Sequence, residues 1–67
     1  MAHAAVVART SPMGLEYLVR ESGRPEWALN AAVAARFETL REATRAALRL
    51  PGALRAYALP AEPRAEA

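Results

Sequence analysis

Residues 25–50 read PEWALNAAVAARFETLREATRAALRL, and the fold turns on where a helix begins inside this stretch. Two starts are open. Pro25 suits a first helical position, where its missing N–H costs nothing, and Glu26 is favourable in a first turn. From that start one Ala-rich helix runs to Leu50, with Val33, Phe37, Leu40 and Ala47 along its buried stripe. The other start is Thr39. Thr39-Leu40-Arg41-Glu42 is a capping box, in which the hydroxyl accepts from the Glu42 amide and the carboxylate reaches back. Leu40, Ala43, Ala47 and Leu50 then share a face, and Pro51-Gly52 stops the helix. With this start residues 26–30, where Trp27 and Leu29 alternate, form a strand instead.

Outward from this stretch, the patterns are those of strands. Residues 4–9 are a short apolar run holding Val6 and Val7, closed by the turn residues Thr10, Ser11, Pro12 and Gly14. Residues 15–21 alternate, with Leu15, Tyr17 and Val19 on one side and Glu16, Leu18 and Arg20 on the other. Ser22-Gly23-Arg24-Pro25 breaks that strand. Residues 54–59 alternate again, Leu54, Ala56 and Ala58 against Arg55, Tyr57 and Leu59. The expected fold is α+β, β-β-β-α-β. A three- to four-stranded, mostly antiparallel sheet carries one helix on one face, and the last strand pairs beside the first. Residues 1–59 form the single domain. Residues 60–67 hold Pro, Ala, Glu and Arg, with too little apolar surface to order, and are expected to be a disordered tail.

The chain has 67 residues, of which 18 are Ala, so its core is thin. A domain this small buries only about 60% of its unfolded surface, and a homodimer with a shared core is a natural remedy. There is no Cys, hence no disulfide or thiolate site, which favours a reducing, cytoplasmic setting. No apolar run approaches the roughly 20 residues of a membrane span, so no membrane partner is expected. All basic residues except His3 are Arg and all acidic ones are Glu; the net charge of +2 is too small for a general nucleic-acid binder.

The same inventory leaves little for catalysis. The chain has one His, no Lys and no Asp. Ser11 and Ser22 lie in turns without a base, and Glu16 and Glu38 have nothing to set them apart from solvated carboxylates. Three isolated glycines make no phosphate cradle. Met1-Ala2-His3 could chelate copper through a free terminus, but removal of Met1 would break the spacing, and a frayed end is the simpler reading. No enzyme activity, cofactor or metal is expected.

Tyr17-Leu18-Val19, Trp27, Ala35-Arg36-Phe37, Thr39, Glu42-Ala43 and residues 54–59 together resemble small proteins of bacterial prophages and mobile elements. That group includes inhibitors of host machinery such as anti-CRISPR proteins. The resemblance covers about two thirds of the chain and is mainly a folding signature. It implies that Phe37 plugs the core, Thr39 caps the helix and Ala43 lets the helix approach the sheet. It also implies an accessory protein that acts by binding, and it places no catalytic residue. Residues 30–34, Asn-Ala-Ala-Val-Ala, depart from the usual more polar pattern.

Two surfaces are candidates for binding. Arg41, Arg45 and Arg49 recur every four residues and share a helix face, with Glu38 and Glu42 three residues before Arg41 and Arg45. Guanidinium groups there suit carboxylates or phosphates, and the intervening Glu residues favour a protein. The second surface is the sheet face away from the helix. If Leu15, Tyr17 and Val19 face the helix, Leu18 and Arg20 face away, joined by Arg55, Tyr57 and Leu59. Trp27 is expected in the core. The expected partner is a host protein or nucleoprotein complex, with nucleic acid or a second copy of the chain as alternatives.

Overall fold

The computed structural model describes residues 4–20 and 24–61. Strand β1 (Ala5–Ser11) turns through Pro12-Met13 into β2 (Gly14–Arg20), with Ser11 opposite Gly14. The Ser11 hydroxyl accepts from the Met13 N–H at 3.2 Å and donates to the Gly14 carbonyl at 2.8 Å. Gly14 has φ +120, a conformation that a side chain would oppose. Strand β3 (Glu26–Ala28) pairs with β2. After a one-turn 3-10 helix at Ala31–Val33 comes helix α1 (Leu40–Arg49), then a second 3-10 turn at Gly52–Leu54 and strand β4 (Tyr57–Pro60). The sheet order is β3-β2-β1-β4, and every pairing is antiparallel. This is the expected β-β-β-α-β fold, with β4 beside β1.

The second of the two helix starts is the one taken. Thr39 Oγ1 accepts from the Glu42 N–H at 3.1 Å, and the Glu42 carboxylate accepts from the Glu38 N–H at 3.3 Å. The Ala-rich stretch before it holds only the 3-10 turn and no α-helix, because the backbone that follows the turn pairs with the sheet. Ala35 N–H donates to Leu18 O at 2.9 Å, and Phe37 and Ala5 exchange bonds of 2.8 and 2.9 Å. The helix ends at Leu50, whose extended φ/ψ of −84/157 is what a following proline imposes.

The core is built from small residues. Ala5, Val7, Leu18, Ala43, Ala46 and Ala47 form its buried cluster, and Trp27, Phe37, Leu50, Ala56 and Ala58 pack against it. Ala43, Ala46 and Ala47 let α1 lie close over β1 and β4. Phe37, Thr39 and Ala43 thus occupy the positions that the resemblance implies. Two expectations for the helix stripe change. Ala46 joins it, and Leu40, at 49% exposure, sits on its flank.

The phase of β2 is the reverse of the one expected. Leu18 is fully buried on the helix side, and Tyr17 lies on the other. The helix side tolerates the neighbouring charge at Glu16 because Arg9 lies opposite on β1 and closes a 2.8 Å ion pair with it. The Arg9 guanidinium also stacks 4.5 Å from the centroid of the Trp27 ring. Carboxylate, guanidinium and indole therefore cover part of the sheet that α1 leaves bare. At the tail, Pro60 ends β4 and Ala61 N–H bonds Ala4 O at 2.9 Å, so the sheet extends one step past the expected domain end. Residues 62–67, the rest of the expected tail, lie outside the described residues, as do Met1–His3 and the Ser22-Gly23 break.

Candidate protein-interaction site

One surface is the outer side of α1. Its inward side is fixed by Ala43, Ala46 and Ala47, so residues half a turn away point outward. These are Arg41, Arg45 and Leu48, at i, i+4 and i+7, with Thr44 beside them. Leu48 is 79% exposed, higher than any other large apolar residue described. Arg49 continues the stripe at the last turn and is also exposed. Among the described residues Glu38 does not pair with Arg41, nor Glu42 with Arg45. The Glu42 carboxylate serves the helix start, and among the described residues neither Arg41 nor Arg45 has an ion pair. The result is a leucine on a helical ridge in line with two guanidinium groups and one turn beyond the second. Sequence reading found the arginines and missed Leu48, although its spacing of seven from Arg41 puts it on their side.

The second surface is the sheet face away from α1. Its central row runs Ala28, Tyr17, Ala8, Tyr57 across all four strands. The two tyrosines flank Ala8, which is left 0% exposed with no helix above it. Thr10 lies opposite Leu15 in the next row, and Val6 opposite Leu59 on the other side. The Tyr57 and Thr10 hydroxyls lie 3.4 Å apart. Arg9 and Glu16 occupy the helix side, while Glu26, two residues before Ala28 on β3, brings its ion pair with Arg20 to the edge of this face.

The residues expected on that face separate. Tyr57 is there and is 38% exposed, and Leu59 is with it. Leu18 is not, since it is the largest side chain fully buried in the core. Arg20 stays on that side, because a register shift after Leu18 sets it opposite Glu26 in an exposed 3.6 Å ion pair at the β3 edge of the face. Arg55 precedes β4 in place of lying in it, and it takes a left-handed φ of 55 as it closes the second 3-10 turn. Tyr17 and Leu15, expected beneath the helix, take the vacated places. Among the described residues no three His, Cys, Asp or Glu side chains gather as a metal site, and no helix is long and apolar enough to cross a membrane. Comparison with protein-family models, curated proteins and solved structures finds no match to this chain.

Proposed function

We propose that this chain is a non-catalytic protein-interaction module that engages an acidic partner surface through the outer side of α1. The observation that carries the reading is the exposed Leu48 one turn beyond Arg45 and in line with Arg41 and Arg45, neither of which has an ion pair among the described residues. A helix face with an apolar anchor and flanking cations fits a protein groove whose floor is apolar and whose rim is acidic. Exposed arginines steer such an encounter, and the leucine supplies contact area once docked. Two guanidinium groups on a chain of net charge +2 make a poor phosphate track, which favours protein over nucleic acid. The resemblance of residues 17–59 to small phage proteins supplies the setting. The module would act in the bacterial cytoplasm as a steric inhibitor of a host defence complex, covering a surface that a nucleic acid or a nuclease subunit normally uses.

The test is affinity capture from bacterial lysate with nuclease added, comparing wild type with Arg41→Glu/Arg45→Glu and with Leu48→Ala. A specific protein, identified by mass spectrometry, is expected to be retained by wild type and lost by both variants. Retention that disappears with nuclease, or that survives both variants, overturns the reading.

A further inference from the structure

We propose that Arg55 extends the docking surface of α1 past the end of the helix, and that the partner's acidic segment reaches around that end to meet it. This rests on the reading of α1 as a site for an acidic protein. Arg55 is the only non-glycine residue with a positive φ among the described residues. It holds φ 55 and ψ 40 to close the turn at Gly52–Leu54, its N–H donating to the Gly52 carbonyl at 3.0 Å. Glycine or asparagine closes such a turn at less conformational cost. The Arg55 side chain offsets none of that cost within the chain. It is exposed, and among the described residues it has no hydrogen bond, ion pair or ring contact. A strained residue whose side chain is idle inside the fold points to a use outside it.

The occupant follows from charge. On the strands, Arg9 faces Glu16 and Arg20 faces Glu26. Residues 43–61, by contrast, hold Arg45, Arg49 and Arg55 and no acidic residue, and all three arginines are exposed. Leu50 and Ala56 both pack on the buried cluster, so Arg49 and Arg55, each one residue away, emerge at the same end of the fold. Arg45 lies one turn, about 6 Å, before Arg49 along the helix axis. Leu48 stands with them at 79% exposure. The end of α1 thus offers cations and a leucine. A polypeptide bearing carboxylates complements it in charge, and its apolar side chains give Leu48 a counterpart. A phosphate backbone would satisfy the guanidinium groups but leave Leu48 in water. The segment that docks on Arg41, Arg45 and Leu48 is therefore expected to carry acidic residues over the last turn of α1 as far as Arg55.

The probe is a short synthetic peptide of glutamates around a central leucine, titrated into the intact chain. Nuclear magnetic resonance follows the arginine Nε–Hε groups and the backbone amides. The signals of Arg45, Leu48 and Arg55 are expected to move together along one binding curve. Arg55→Gly is expected to weaken the peptide about three- to fivefold while raising the urea midpoint, so that binding and stability move in opposite directions. Arg55→Asn suits the left-handed turn without the freedom of glycine and is expected to bind as weakly. Arg55→Lys keeps the charge and is expected to keep most of the affinity. A merely structural role for Arg55 moves stability alone. Unchanged affinity in Arg55→Gly and Arg55→Asn, a lower urea midpoint in Arg55→Gly, or tighter binding of a single-stranded oligonucleotide of equal charge each overturn the proposal. Shifts at Arg41, Arg45 and Leu48 without Arg55 sink this proposal and leave the α1 reading standing, whereas shifts at none of the four sink both.

Discussion

Two backbone positions carry opposite kinds of strain. Arg55 holds φ 55 and ψ 40 with a side chain attached, whereas Gly14 holds φ +120 without one. A Cβ at Gly14 would meet open space, so the cost there is purely conformational. Gly14→Ala is therefore expected to lower stability by about 1 kcal/mol or more, and Arg55→Gly to raise it by up to about 1 kcal/mol. Urea melts of both variants check the pair of signs. Leu18 shows how much a single residue can decide about phase. Between Glu16 and Arg20 it reads as the exposed side of a strand, and alternation alone gives no way to choose. What reverses the phase is Arg9, seven residues away in sequence from Glu16 and directly opposite it in the sheet. That partner exists only once the register is known. Leu18→Ala is expected to cost about 2–5 kcal/mol, enough to unfold most of so small a domain, and Leu15→Ala much less. Circular dichroism at low concentration separates the two.

At the scale of elements, α1 was the most legible part and the region before it the least. Its cap lies in four consecutive residues and its stop in the proline that follows, both local facts. The choice between strand and helix at residues 26–38 was not local. Ala35 and Phe37 give their backbone groups to Leu18 and Ala5, and no propensity in the Ala-rich stretch announces those partners. A ten-residue helix is also too short to persist alone, so packing must hold it. Two substitutions separate cap from packing. Thr39→Ala removes the hydroxyl that accepts the Glu42 N–H and is expected to cost about 1 kcal/mol. Ala46→Leu improves intrinsic apolarity yet drives a larger side chain between α1 and the sheet, where Ala46 is 0% exposed. It is expected to cost about 1–3 kcal/mol by overpacking, read as a lower denaturation midpoint. If Ala46→Leu proves stabilising, the close approach of helix to sheet is wrong.

For the whole molecule, the sequence indicated two candidate surfaces and misassigned some residues of one. The arginines of α1 could be found because helical spacing is a local rule, whereas the open face needed the phase of β2 and the left-handed turn at Arg55. The correction places Tyr17 and Leu15 on that face in place of Leu18. The face also bears on stability. Its Val6 and Ala8 are buried within the single chain, so the middle of the face is closed without a second copy. If folded chains paired through it, folding would be linked to concentration. Above the dissociation constant the free folded chain would grow only as the square root of the total. Each tenfold rise would then add about 0.7 kcal/mol per chain to apparent stability. For a domain of this length that corresponds to about 3–5 °C in Tm. Thermal melts of wild type across two decades of concentration are instead expected to give one Tm, with Leu18, Val7 and the Arg9–Trp27 stack sufficient to hold the fold. A Tm that rises by that increment per decade would mean that a second copy completes the core.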